Sequence, residues 1–332
     1  MTEKRIVVAG AGSIGCFVGG LLAAAGHPVT LLGRERVLME ISEHGLTADD
    51  FTGFFSRVAA SQLDLKVDPA VMRRADLILV TVKSGATATM AREIAAYAPA
   101  KAPVISLQNG IDAAVILQDA LPGRDVRAGM VPFNVVPMGQ GRYHRASSGN
   151  IVIGPGPGDL ARRLSVPGLK VTESDEIFEM QAGKLVLNLT NALNALSGMT
   201  LREMLLNRGW RRLMADQVAE ALAVYRAAGI VPQLPIPVPP RFLPPILRLP
   251  TVLFRSIAAR MLTIDPLART STAYDLAAGR PTEVDAFQGS VLRLAKAKGV
   301  PAQLNARVLD LIRQAEAKGP HRPALTPEAV RG

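Results

Sequence analysis

Arg5-Ile-Val-Val-Ala-Gly10-Ala-Gly12-Ser-Ile-Gly15 is the stretch that decides how the chain is read. Ile6–Ala9 is an unbroken apolar run, the pattern of a strand buried on both faces. Residues 13–25 follow as a helix candidate, so G-x-G-x-x-G lies between strand and helix, the context a dinucleotide-binding turn requires. Gly10 permits the tight turn, Gly12 lets the backbone approach a pyrophosphate, and Gly15 lets the helix pack closely on the strand. Ala11, Ser13 and Ile14 complete the loop. The helix start adds unpaired N–H groups and the positive end of a dipole for phosphate oxygens.

Working outward, strand candidates recur at Val29–Leu32, 77–82 and 104–107, with helices at 36–43, 86–97 and 113–119. Strand–helix alternation of this kind predicts an α/β domain with a parallel, doubly wound sheet. Residues 125–137 and 150–154 read as further strands closing that sheet, and 169–172 as its last. Near Ser174 the period becomes helical, over 178–196, 201–228, 267–278, 283–298 and 306–317. The division is therefore a dinucleotide-binding domain at 1–173 and a helical domain at 174–318. A proline-rich insertion at 232–250 interrupts the second domain. Its prolines forbid a regular helix, while its interleaved Leu, Ile, Val and Phe predict a packed segment, on the surface or against a partner subunit. Residues 251–262 read as a short amphipathic helix, and 319–332 as a frayed tail.

The 332-residue chain is 48% hydrophobic, enough for two cores. It offers no long uncharged run for a membrane span and no leader pattern. Its single cysteine, Cys16, follows the glycine loop and reads as packing. Together these features predict a cytoplasmic protein. The net charge of +10 is scattered in arginine pairs with little aromatic interleaving. That pattern indicates a small polyanionic ligand and a solvated surface rather than nucleic acid. No metal-ligand set is assigned.

The second strand ends at Leu32, where dinucleotide folds place the residue that reads the ribose. An acid there would bind the 2′-hydroxyl of NAD. The chain has Gly33-Arg34-Glu35-Arg36, and Arg34 suits a 2′-phosphate, which favours NADP, with Glu35 as the competing acid. Val82-Lys83-Ser84 and Gln108-Asn109-Gly110 follow other strands at their C-terminal ends, where open sheets bind ligands. In the helical half, Lys184, Asn188 and Asn191 fall at i, i+4 and i+7 on one face of an otherwise apolar helix. Such a stripe requires partners. It is either a polar network tying the domains together or a substrate site with Lys184 as the acid. Farther on come Ser271-Thr-Ala-Tyr-Asp275 and Pro281-Thr282-Glu283-Val-Asp285. In the latter, Pro281 suits a helix start and Thr282 with Asp285 has capping-box spacing.

Taken together, the motifs resemble the ketopantoate reductase (2-dehydropantoate 2-reductase) family from about Arg5 to Ala317. The carriers are Gly10–Gly15, Gly33-Arg34, Val82-Lys83, Gln108-Asn109-Gly110, Lys184 with Asn188, Ser271 with Asp275, and Thr282-Glu283-Val-Asp285. The resemblance implies a Rossmann-type sheet followed by an all-α C-terminal domain like that of 6-phosphogluconate dehydrogenase. It also implies NADPH-dependent reduction of a 2-keto acid, with ketopantoate as substrate. Lys184 would be the general acid, and Glu283 would bond the new hydroxyl. Asn109 would contact the nicotinamide ribose and the substrate. Asn188, Asn191 and Ser271 would hold the substrate, and Arg34 and Lys83 the adenosine phosphate end. The chain departs from the family pattern in three places. Its second asparagine comes seven rather than eight residues after the lysine, Ala86 stands where a glutamine is common, and the proline-rich segment is longer. The competing readings are a related NADP-dependent keto-acid, hydroxyacid or imine reductase, and a non-catalytic NADP sensor or structural dimer. The proline-rich arm leaves room for a homodimer.

Overall fold

Apolar runs bounded by glycine and proline build the first half of the chain in the computed structural model, which describes residues 4–259 and 267–332. The chain divides into two compact units, residues 1–178 and 179–332. Among the described residues, the strands of the first unit are β1 (Ile6–Ala9), β2 (Val29–Leu32), β3 (Leu46–Asp50), β4 (Phe55–Val58), β5 (Asp64–Lys66) and β6 (Leu77–Val80), then β7 (Val104–Ser106), β8 (Val126–Met130), β9 (Val135–Gly139), β10 (Arg142–Arg145), β11 (Ile151–Ile153) and β12 (Val171–Glu173). Its helices are α1 (Ser13–Ala24), α2 (Glu35–His44), α3 (Thr87–Tyr97), α4 (Ala113–Ala120) and α5 (Leu160–Leu164).

The main sheet has the order β12-β11-β8-β7-β6-β1-β2-β5 and is parallel except where β11 meets β8. Strand order reverses at β1, so the glycine loop leaves the sheet at its switch point. Alternate residues of β1 serve opposite faces. Ile6 and Val8 pack with Phe17, Leu21 and Leu22 of α1 on one side. Val7 and Ala9 pack with Met90, Ala91 and Ile94 of α3 on the other.

A second sheet, β4-β3-β10-β9, differs from the expectation of one continuous sheet. Of residues 125–137 only β8 joins the main sheet, while β9 pairs with β10. Strand β3 was not expected, because Leu-Thr-Ala-Asp-Asp reads poorly as a strand. Its acids meet partners distant in sequence: Asp49 pairs with Arg142 and hydrogen-bonds His144 Nδ1, each at 2.6 Å, and Asp50 pairs with Arg145 at 2.6 Å.

The second unit is helical: α6 (Ile177–Asn188, which begins two residues before the division), α7 (Thr190–Ser197), α8 (Leu201–Leu206), α9 (Arg208–Ala227), α10 (Leu243–Arg248), α11 (Thr251–Ile257), α12 (Ser271–Ala277), α13 (Val284–Lys298), α14 (Gln303–Ala317) and α15 (Pro327–Arg331). Several expected long helices are divided. The 178–196 helix is interrupted at Leu189. The 201–228 helix stops at Asn207, whose side chain accepts from Trp210 N and starts α9. A Thr200/Glu203 capping box starts α8. The 267–278 helix begins only at Ser271. The end of the 251–262 helix lies outside the described residues.

The proline-rich segment is partly helical after all, because Pro244 and Pro245 occupy the first turn of α10, where no N–H is required. The tail does not fray. Val330 of α15 is fully buried, and Leu325 N donates to Leu196 O at 2.9 Å. Among the described residues, no helix is long and apolar enough to cross a membrane.

Candidate active site

In the first unit the glycine loop is shaped by contacts that tolerate no side chain. Gly10 has φ +124°, and a Cβ there would come within 2.5 Å of Val82 N. At Gly15 a Cβ would stand 2.1 Å from the Gly10 carbonyl oxygen. Thr81 Oγ1 donates to that same carbonyl at 2.7 Å and pins the loop to the end of β6. Gly12 differs, since nothing lies within 4 Å of its Cβ position. It is the N-cap of α1, no side chain caps that helix, and its first turn holds no acid. The positive helix end is therefore open toward the space above Gly12, a fit for a pyrophosphate. Ala11 is buried and Ser13 and Ile14 are less so.

Three neighbouring loops complete this side. Gly33 packs on the glycine loop, and a Cβ there would meet Ala11 Cβ at 2.4 Å. Arg34 follows as the exposed, extended N-cap of α2. Lys83 comes one residue beyond Val82, which packs against Gly10. Asn109 sits partly buried after β7, beside Gly110 at φ +90°. Its neighbour Gln108 serves the scaffold: Nε2 donates to Val82 O at 2.9 Å and to Thr87 Oγ1 at 2.7 Å. Sequence reasoning missed Thr81, whose role depends on a carbonyl distant in sequence. Cys16 is buried packing, its thiol pushed up to about 12 by burial.

In the second unit Lys184 lies on α6, partly buried. Burial pushes its ammonium down to about 8, against the opposing influence of the Glu283 charge. The structure thus brings Lys184 and Glu283 into one electrostatic pair. Glu283 is the N-cap of α13. The capping box expected of Thr282 and Asp285 is not formed. Thr282 Oγ1 accepts from Val284 N at 3.3 Å, and Asp285 turns to Arg313 at 2.6 Å.

Asn188 ends α6 and Asn191 lies in the first turn of α7. Leu189 between them keeps helical dihedrals, φ −55° and ψ −30°. Thr270, immediately before Ser271, donates through Oγ1 to Asn191 O at 3.0 Å. Its N–H donates to Asn194 Oδ1 at 3.0 Å, which brings the exposed Ser271 at the start of α12 beside Asn191. Asn194 is fully buried and also donates to Met199 O, so it is the scaffold of this corner. Gly183, beside Lys184, was not anticipated either: a Cβ there would fall 1.8 Å from the Gln233 carbonyl oxygen. Gln233 N donates to Glu179 O at 2.9 Å, so the start of the proline-rich segment lies on α6. A glycine inside an apolar helix was the available signal.

Residues 6–158 match the family described as ketopantoate reductase PanE/ApbA, and residues 176–316 match its C-terminal part. The chain belongs to this family. A 2-dehydropantoate 2-reductase of Halobacterium salinarum is 28% identical over 324 residues, covering 95% of this chain and all of the relative. A PanE/ApbA family ketopantoate reductase from Ralstonia eutropha JMP134 superposes with TM-score 0.81 at 31% identity, over 96% of this chain and 100% of its own. D-mandelate dehydrogenase in a ternary structure with NADH and anilino(oxo)acetate shares the fold, with TM-score 0.75 at 22% identity over 95% of this chain and 99% of its own. Ketopantoate reductases are NADPH-dependent. This reductase-family chain is an oxidoreductase with NADP as its cofactor.

Proposed function

We propose that the protein reduces 2-dehydropantoate to pantoate, as its relatives are named for, with Lys184 as the general acid. The observation that carries this reading is Lys184 itself. It is an ammonium whose burial brings its proton within reach of neutral pH, beside the carboxylate of Glu283. Bound NADPH would supply hydride to the 2-keto carbon. Lys184 Nζ then gives its proton to the oxygen that becomes the alkoxide, and its positive charge stabilises that oxygen as charge develops. One hydride and one proton convert ketone to alcohol, so the balance closes with NADP left behind.

The remaining roles are those the family resemblance implies for these residues. Gly10 to Gly15 and the start of α1 hold the pyrophosphate. Arg34, exposed beyond β2, pairs with the 2′-phosphate, and Lys83 joins it at the adenosine phosphate end. Asn109 contacts the nicotinamide ribose and the substrate. Glu283 accepts from the hydroxyl as it forms. Asn188, Asn191 and Ser271 orient the carboxylate and hydroxyl of the substrate.

The proline-rich segment seated on Gly183 favours a second reading, in which the chemistry is the same but the preferred 2-keto acid is different. NADPH oxidation with ketopantoate and a panel of other branched 2-keto acids separates the two. Turnover of ketopantoate well above the others supports the first reading, and preference for another acid selects the second. No turnover of any keto acid overturns both in favour of NADP binding without catalysis.

A further inference from the structure

Gln288 is fully buried on α13, yet only half of its amide is used. Its Nε2 donates to Leu189 O at 3.0 Å, while its Oε1 is buried without a hydrogen-bond partner. Leu189 is the single residue between α6 and α7. An apolar side chain of equal length would fill the same space and avoid the unsatisfied Oε1, but it would leave Leu189 O without this donor. The amide is therefore poorly explained by packing.

Its place in the fold explains it better. Leu189 lies five residues after Lys184, and Gln288 lies five residues after Glu283. The bond joins the helix that carries the lysine to the helix that the glutamate begins. It acts at Leu189, where α6 gives way to α7. We propose that Gln288 is a positioning residue that fixes the Lys184 helix against the Glu283 helix and so sets the geometry of that pair. It acts through that pair and not by touching substrate or cofactor. The inference rests on the reading of Lys184 as general acid.

The test compares wild type with Gln288→Met, which keeps length and loses the donor, and Gln288→Asn, which keeps an amide too short to reach Leu189. Four quantities are read: kcat for ketopantoate reduction, NADPH Kd, the thermal midpoint, and the titration midpoint of Lys184 Nζ followed by NMR on labelled lysine. The expected result is a fall of about tenfold or more in kcat in both variants, with NADPH Kd within twofold. The Lys184 midpoint is displaced by half a pH unit or more, and both variants stay folded with a thermal midpoint lowered by no more than the loss of one buried hydrogen bond. Unchanged kcat with an unmoved lysine midpoint overturns the proposal. Parallel loss of kcat, NADPH affinity and folding in both variants also overturns it, because Gln288 would then be an ordinary fold residue. If wild type turns over no keto acid, the general-acid reading fails, and the lysine midpoint alone decides whether Gln288 positions Lys184.

Discussion

Lys184 carries the chemical argument, and its pH behaviour follows from its surroundings. Burial disfavours the charged form, so the ammonium loses its proton at about 8 rather than at the ordinary 10.5. The acid is the protonated form, so kcat for reduction is flat below that pH and falls as pH rises through it. A kcat profile rising toward pH 10 would contradict the assignment. Arg34→Ala makes an independent prediction about the cofactor. Losing a charge-assisted pair raises the KM for NADPH by about 10- to 100-fold and leaves the KM for NADH nearly unchanged. Equal effects on both cofactors would remove the 2′-phosphate role. The residues behind these predictions were legible because each sits at a position with a mechanical meaning, a strand end or one face of an apolar helix. Thr81 and Asn194 were not, since their hydrogen-bond partners are fixed by tertiary structure alone.

The glycine loop separates holding a fold from holding a ligand. Gly12→Ala places its Cβ in open space, so the thermal midpoint is expected to stay within about 2 °C while NADPH Kd rises at least about tenfold. Gly15→Ala drives a Cβ onto the Gly10 carbonyl, so α1 cannot keep its seat and thermal stability is lost before binding can be read. Similar behaviour of the two variants would refute this division of labour. The fully buried Arg211 performs the corresponding task for the proline-rich segment. It donates to Leu205 O, Leu247 O and Leu249 O, and it stacks on Phe254 at 4.3 Å. Arg211→Met leaves those carbonyls without this donor and costs about 3 kcal/mol, read as a lower urea midpoint at unchanged slope. Proline spacing alone ruled out an ordinary helix over 232–250. That α10 would form behind Pro244 and Pro245 depended on Arg211 reaching its C-terminal carbonyls.

Alternation of strands and helices followed by a change to helical period was enough to read both units, because each follows from local pattern. The second sheet was not legible, since the β3–β10 pairing and the contacts of Asp49 and Asp50 with Arg142, His144 and Arg145 join segments far apart in sequence. Nor was the closing tail, whose Pro327–Arg331 turn buries Val330 and pairs Arg331 with Asp216 of α9 at 2.5 Å. Removing residues 319–332 should therefore lower the thermal midpoint by several degrees, and an unchanged midpoint would show the docking to be marginal. In the proposed reading the cofactor residues lie in the first unit and the acid in the second, and the central claim is that Lys184 is the acid. It is tested most directly by NADPH oxidation at 340 nm with ketopantoate, for wild type and Lys184→Ala side by side. The expected result is steady turnover by wild type and a kcat about 10³-fold lower in the variant, with NADPH Kd within a few-fold. Turnover by the variant within tenfold of wild type, or no ketopantoate-dependent oxidation by wild type, would contradict it.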